Sequence, residues 1–250
     1  MKIHMKKVAI FGSSRTDPNS DLYAAVEQLG KRCAQSGWTV VTGGGPGTME
    51  AANKGAASVD LTRSEAEAIY LPFEEAVNQY VYDYTKHNDF FTRLDTFSNC
   101  DAFIVTPGGI GTLLEMAMIY QLVQVNHIEQ KPIICVGRMW RTLKDWLEEE
   151  MVENGFLSNK EMDYIHYVDR FGEATALLNY LHAGPLEPTE KDYSTVVRNE
   201  EPTSSEIDKL MKESGMSWYE SREYLRDLSY RGEHLNKPNN QSWGDFWKSY

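Results

Sequence analysis

The glycine-rich turn at residues 106–112 is the stretch of this sequence best suited to chemistry. It reads Thr-Pro-Gly-Gly-Ile-Gly-Thr and follows an apolar run, 102–105, that indicates a buried strand. Apolar residues at helical spacing then extend from Leu113 to Val125. Glycines let the backbone turn sharply, and a helix N-terminus offers unpaired N–H donors with partial positive charge. The residues expected to cradle a phosphate here are Pro107, Gly108, Gly109, Gly111 and Thr112.

Glu115 is expected on the first turn of the same helix, beside whatever the turn binds. A carboxylate in that place could take part in catalysis. The alternative is structural, because Thr112-x-x-Glu115 has the spacing of a capping box and acidic residues favour first turns. The spacing alone leaves both interpretations open.

A second glycine-rich turn, 43–48, follows the apolar run Trp38–Thr42 and precedes a helix of small residues. A tight link between strand and helix is the simpler explanation, but four glycines exceed what such a link needs. We therefore expect anion binding here as well. The residues expected to take part are Gly44, Gly45, Gly47 and Thr48.

The composition narrows the classes of function. The chain has 250 residues, 41% of them hydrophobic, and a net charge of −12. This charge argues against a nucleic-acid scaffold, which needs a basic face. The cysteines, Cys33, Cys100 and Cys135, lack metal spacing and fit a reducing compartment. No signal peptide or transmembrane run is found, so we expect a cytoplasmic protein without a membrane partner.

Strands and helices alternate along the first 184 residues. This order predicts an α/β fold: a doubly wound, Rossmann-like parallel sheet with helices on both faces. Ligands bind such sheets beyond the carboxyl ends of the strands, where both glycine turns fall. The predicted elements are strands at 7–12, 38–42, 68–71, 102–105, 132–137 and 165–168, helices at 20–37, 49–57, 90–98, 113–125, 143–152 and 174–181, a possible short helix at 62–65, and a loop at 73–88.

The character of the sequence changes after Gly184. Residues 185–250 are predicted to form a proline-containing linker and two short helices, 204–215 and 217–228. Trp218, Trp243 and Trp247 make this extension too aromatic for a segment meant to stay disordered. We expect it to dock on the main domain, on a second subunit or on a partner.

Several common sites are not indicated. Neither glycine turn has the G-x-G-x-x-G spacing of a dinucleotide site, and no G-K-[ST] of a P-loop follows either one. Arg93 lies on a predicted helix with Phe90, Phe91 and Leu94. That pattern alone favours an amphipathic arginine with its head group in water.

The segment from Pro107 to Glu115 matches the P-G-G-x-G-T-x-x-E motif of the LONELY GUY (LOG) family, long labelled "possible lysine decarboxylases". Residues 43–56 resemble the other glycine segment of this family, and Gly12-Ser13-Ser14 resembles its first turn. Residues 71–74, Leu-Pro-Phe-Glu, resemble a recurring mid-chain piece, and residues 90–93 resemble the F-F-x-R-K element. Leu94 departs from that element, and the spacer from Arg93 to Asp101 is one residue shorter than usual.

The resemblance covers roughly residues 6–182. It implies cleavage of the N-glycosidic bond of an AMP-like nucleoside 5′-monophosphate, with no metal or organic cofactor, in a homodimer. Arg93 and Glu115 would then be the catalytic pair, with Gly12 and Ser13 among the nucleotide-binding residues. A non-catalytic carrier or sensor of a nucleotide or phosphorylated cofactor is the rival, because a fold with phosphate loops does not exclude it.

Overall fold

The computed structural model of the protein describes residues 6–70 and 76–183, together with Lys212. Both ranges fall within one compact unit, Met1–Pro185. Apart from Lys212, the extension predicted at 185–250 lies outside the described residues, as does the Leu-Pro-Phe-Glu segment at 71–74. The linker, the two short helices and their docking therefore stay predictions.

Seven parallel strands form one sheet in the part of the chain that the structure describes. Their order is β4-β3-β2-β1-β5-β6-β7, so the chain winds outward from β1 and then returns to add β5 on its other side. The strands are β1 (Lys7–Phe11), β2 (Thr39–Thr42), β3 (Ser64–Ile69), β4 (Asp83–His87), β5 (Ala102–Val105), β6 (Ile133–Val136) and β7 (Ile165–Val168).

Helices cover both faces of the sheet, because its central strands are apolar on both sides and must be buried on both. The helices are α1 (Asp21–Gln35), α2 (Thr48–Ala57), α3 (Phe90–Phe97), α4 (Ile110–Gln124), α5 (Arg138–Trp146), α6 (Asn159–Met162) and α7 (Phe171–Ala183). Side chains of α1, α2 and α7 pack with Val8 and Ile10 of β1 on one face. Side chains of α3, α4 and α5 pack with Ala9 and Phe11 on the other. The predicted doubly wound α/β fold is confirmed.

Two glycines allow α1 and α2 to pack closely. A Cβ added at Gly55 would lie 1.9 Å from the carbonyl oxygen of Glu27, and one added at Gly30 would lie 2.2 Å from that of Ala52. Neither backbone could give way without moving a helix. This contact fixes the position of α2, and with it the glycine turn that leads into α2.

The region between β2 and α3 differs most from the prediction. The possible helix at 62–65 is a 3-10 turn, Leu61–Arg63, capped by Asp60, and Glu65 already belongs to β3. The third strand begins at Ser64 rather than 68 because Ser64 pairs with Val40 of β2. The predicted loop at 73–88 contains β4, an edge strand whose residues Asp83 to Thr85 are exposed, so no apolar run marks it.

Three of the described helices begin at least three residues earlier than predicted. Helix α4 begins at Ile110, α5 at Arg138 and α7 at Phe171, and after α5 the chain continues as a π-helix, Leu147–Val152. Glu115 consequently lies on the second turn of α4 and not on the first. The N-cap of α4 is Gly109, which has no side chain to cap with, so the capping-box alternative for Thr112 and Glu115 is wrong.

Candidate functional site

A cavity of about 530 Å³ opens at the carboxyl ends of the central strands. It lies where the order of the strands reverses between β1 and β5, which is the usual ligand crevice of doubly wound sheets. Turns after β1, β2 and β5 contribute to its wall, with side chains from α3 and α4. The lining residues are Gly12, Ser13, Ser14, Arg15, Gly43, Met49, Ile69, Arg93, Gly109, Ile110, Gly111, Thr112 and Glu115.

The N-terminus of α4 forms one wall of the cavity. The first N–H groups of a helix have no partner within it, and here Gly111 and Thr112 line the cavity. A Cβ added at Gly109 or Gly111 would meet nothing within 4 Å, so the backbone is open to a ligand there. Because α4 is 15 residues long, its dipole adds positive potential at this end. The arrangement suits an anion.

Arg93 reaches the cavity from α3 and is buried, with 8% of its surface exposed. Its Nε donates to the carbonyl oxygen of Glu67 at 2.8 Å, and its guanidinium carbon lies 5.4 Å from the centre of the Phe97 ring. Its Nη2 lies 3.4 Å from Oε1 of Glu115. The interpretation of Arg93 as a surface arginine with its head group in water is therefore wrong.

Glu115 is the carboxylate of the cavity. Burial raises the pKa of its carboxyl from the ordinary 4.5 to about 7, and the positive charge of Arg93 opposes this rise only in part. A group with such a pKa changes its charge near neutral pH. It can therefore serve as a carboxylate or as a proton donor in the range where enzymes work.

Gly43 provides the space that Arg93 occupies. A Cβ added at Gly43 would lie 2.0 Å from Nη2 of Arg93 and 2.8 Å from the sulfur of Met49. Any larger residue would thus force the guanidinium away from Glu115. Because Gly43 has no side chain, the guanidinium of Arg93 can lie in the cavity.

The rest of the 43–48 turn does not line the cavity. The N–H of Gly44 donates to Oγ1 of Thr42 at 3.0 Å, and the carbonyl oxygens of Gly44 and Gly45 accept from Asn78. The N–H of Thr48 donates to the carbonyl oxygen of Ser13 at 2.9 Å. These contacts tie the turn to its neighbours, among them the turn after β1 that does line the cavity.

Of the predicted site residues, the structure brings together Gly12, Ser13, Arg93, Gly109, Gly111, Thr112 and Glu115. Six others, Gly44, Gly45, Gly47, Thr48, Pro107 and Gly108, do not line the cavity. Sequence reasoning gave no role to Ser14, Arg15, Gly43, Met49, Ile69 or Ile110. Arg15 had a detectable signal, since it lies in the polar turn directly after β1; Met49 and Ile69 are apolar residues that nothing in the sequence separates from the core.

Comparison with known proteins identifies the family of the chain. The profile of the family described as "possible lysine decarboxylase" matches residues 49–178, and that of the SLOG cluster4 family matches residues 5–62. The chain belongs to the possible lysine decarboxylase, or LOG, family. The match spans the turn at 106–112, Arg93 and Glu115, so the resemblance stated from the sequence is confirmed.

Solved structures show how widely this LOG fold is shared. The protein TM1055 is 28% identical, with a TM-score of 0.52, over 70% of this chain and 98% of its own. A molybdenum cofactor binding protein from Rippkaea orientalis is 20% identical, with a TM-score of 0.53, over 72% and 99%. The molybdenum cofactor carrier protein from Chlamydomonas reinhardtii is 19% identical, with a TM-score of 0.51, over 72% and 99%. The last two show the fold alone. The chain has no match among curated proteins.

Two further findings bear on other classes of function. Among the described helices, none combines the length and apolar character that crossing a bilayer requires. Within residues 6–70 and 76–183, no group of three or more His, Cys, Asp or Glu side chains could hold a metal ion.

Proposed function

We propose that this protein hydrolyses the N-glycosidic bond of a nucleoside 5′-monophosphate, releasing free base and ribose 5-phosphate. The observation that carries the proposal is the pairing of Arg93 with Glu115, 3.4 Å apart, in a cavity that also holds the N-terminus of α4. Membership of the LOG family supports it. The cavity volume falls within the range of small-molecule sites.

Each part of the site has a chemical task in this reaction. The 5′-phosphate binds the N–H groups at the start of α4, which supply donors without net positive charge. As the bond between C1′ and the base nitrogen breaks, the sugar gains oxocarbenium character, and the carboxylate of Glu115 stabilises it. Water then adds to C1′ and loses a proton, and the base nitrogen gains one, so that OH and H of one water molecule are divided between the sugar and the base. Arg93 holds Glu115 ionised or binds the departing base or phosphate.

Incubation of the protein with a panel of nucleoside 5′-monophosphates tests the proposal, with free base and ribose 5-phosphate both measured. We expect the two products in equal amounts and an AMP-like substrate among the best. The matching nucleosides are the control, because without the phosphate they lose the contact with α4. Release of base from no member of the panel would contradict the proposal.

The second candidate is a carrier or sensor of a nucleotide or a phosphorylated cofactor. It is favoured by the two structures of the same fold described as molybdenum cofactor binding and carrier proteins. A carrier would bind its ligand in the cavity and release it unchanged. Calorimetry with AMP and with other phosphorylated ligands, followed by recovery of the ligand, separates the two functions.

We further propose that the protein works as a cytoplasmic homodimer with α4 at the subunit contact. Apart from Glu115, α4 carries no charged residue, and apolar side chains remain on its outer side. Ile110 and Leu114 are 81% and 47% exposed, and Val125, the residue that follows the helix, is 58% exposed. A helix that is apolar all round is usually buried all round, and a second copy of the chain would cover this face.

A further inference from the structure

Beneath α3 the sheet carries a buried histidine–glutamate pair that the proposed reaction does not use. Nε2 of His87 lies 2.7 Å from Oε2 of Glu67, and the two side chains are only 8% and 14% exposed. Two strands contribute them, β3 and β4, which are adjacent in the sheet. Burying charged or strongly polar groups costs free energy. We therefore expect this buried pair to have a role that offsets the cost.

Glu67 connects this pair to the cavity through its backbone. Strand β2 ends its pairing at Thr42, opposite Ala66, so Glu67 is the first residue of β3 without a partner on β2. Its carbonyl oxygen accepts instead from Nε of Arg93, at 2.8 Å. Thus one residue holds Arg93 with its main chain and His87 with its side chain.

The geometry leaves the guanidinium little freedom. The Glu67 carbonyl accepts from Nε, and the Phe97 ring lies against the guanidinium. Nη2 occupies the space beside Gly43, which a single methyl group on that residue would fill. The aim of Nη2 at Glu115 consequently depends on where the Glu67 carbonyl points. In a strand the side chain and the carbonyl of one residue are oriented by the same backbone dihedrals, so anchoring the side chain also anchors the carbonyl.

We propose that His87 and Glu67 are positioning residues that aim Arg93 at Glu115. His87 does not line the cavity; it holds the Glu67 side chain, and the Glu67 carbonyl holds Arg93. The inference rests on the proposed function for its kinetic consequences. The orientation of Arg93 can also be measured without any substrate.

The substrate-free test follows Glu115 by NMR in protein carrying carbon-13-labelled glutamate. Arg93 lowers the pKa of the Glu115 carboxyl, whereas burial raises it. If Arg93 loses its aim, the pKa of Glu115 must therefore move upward. We expect an upward shift in His87→Phe and recovery in His87→Gln, whose amide can donate to Glu67 again. An unchanged Glu115 pKa in a folded His87→Phe protein would overturn the proposal.

The kinetic test is a double-mutant cycle between His87→Phe and Arg93→Lys. Lysine has no Nε donor at that place, so the path through the Glu67 carbonyl is already broken. His87→Phe should lower kcat about tenfold in the wild type with little change in KM, and should lower it no further in Arg93→Lys. Equal losses in both backgrounds would show that His87 acts independently of Arg93.

A matched control is His166→Phe, which replaces a partly buried histidine of β7 at the opposite edge of the sheet. It should leave kcat and the Glu115 pKa unchanged. Thermal unfolding shows whether each variant folds. If His87→Phe does not fold, Glu67→Gln replaces it in the cycle, because this substitution weakens the same contact with a smaller change of shape. If the wild type releases no base, the proposed function fails, and the Glu115 pKa still decides the positioning role.

Discussion

Glu115 is held in a state where a small change of surroundings changes its charge. Its side chain is 12% exposed, and the guanidinium of Arg93 lies 3.4 Å from it. The isosteric Glu115→Gln keeps the shape and removes the charge. Activity and stability should therefore respond in opposite directions to its replacement.

Glu115→Gln should lower base release by more than tenfold, which corresponds to more than about 1.4 kcal/mol of transition-state stabilisation. The physical reason is the lost carboxylate charge opposite the oxocarbenium. Rates are measured as base released at saturating substrate, with circular dichroism to confirm folding. Glu129→Gln, at an exposed position beyond α4, is the matched control. Near-full turnover in Glu115→Gln would show that the Glu115 carboxylate is not needed for catalysis.

The pKa of Glu115 also predicts how pH acts. Because the pKa is about 7 in the folded protein and 4.5 ordinarily, the folded state holds this proton more tightly than the unfolded state. The stability that the protonated group contributes is complete below pH 4.5 and is lost as the pH rises through 7. Relative to Glu115→Gln, the wild type should lose about 3 kcal/mol of unfolding free energy across that range.

Urea unfolding of both proteins from pH 4 to 8 measures this difference. Base release should follow the opposite course, rising with pH through about 7 as Glu115 ionises. A wild-type minus Glu115→Gln difference that stays flat with pH would contradict the assignment of a raised pKa.

The glycine turn after β2 joins sheet and helix in a way that places Arg93. Gly43→Ala should lower base release, because the new methyl group would lie 2.0 Å from Nη2 of Arg93 and would displace the guanidinium. We expect a loss of about tenfold or more with a small effect on stability, since the guanidinium and the Met49 sulfur are flexible ends. Kinetics and thermal unfolding are the measurements.

Gly172→Ala on α7 is the matched control for this substitution. Its methyl group would also press on an arginine, 2.8 Å from Nη1 of Arg32, but away from the cavity lining. It should retain full activity. If Gly43→Ala is as active as Gly172→Ala, the guanidinium can move aside without loss, and its aim at Glu115 is unimportant.

Most elements of the sheet could be predicted because their signals are local. Buried runs such as Ala102–Val105 and Ile133–Val136 are apolar throughout, and Ser20 caps α1. Strand β4 could not be predicted, because an edge strand shows exposed polar residues that resemble those of a loop. Its pairing with β3 is a property of the folded chain.

The candidate site was predictable in part for the same reason. The turn at 106–112 could be predicted to bind a ligand because glycines directly before a helix can be recognised from a short stretch of sequence. Gly44, Gly45 and Thr48 share that local signal, yet their backbone groups bind Thr42, Asn78 and Ser13 within the protein. Which of two glycine turns faces the crevice depends on how β1, β2 and β5 are ordered, and no short stretch of sequence records that order.

If a second copy of the chain covers the apolar outer face of α4, a charge placed on that face should prevent dimer formation. Leu114→Lys should convert the proposed homodimer to a monomer, because a charge would have to be buried at the contact. Sedimentation equilibrium across a range of concentrations measures the mass. Leu61→Lys, at a leucine of similar exposure in the 3-10 turn, should leave the mass unchanged. A wild type that sediments as a monomer would overturn the homodimer proposal.

We propose that backbone N–H groups of the cavity bind an anion, while the protein as a whole carries a net charge of −12. A phosphorylated ligand would then diffuse toward a surface that repels it until it comes close to α4. Dissolved salt screens the long-range repulsion, with a Debye length of about 10 Å at 0.1 M, more than it weakens contacts inside the cavity. Stopped-flow measurements should thus show AMP associating faster as ionic strength rises, opposite to the behaviour of a site that steers its ligand in with surface lysines. Slower association at higher salt would mean that local cations such as Arg15 dominate the approach.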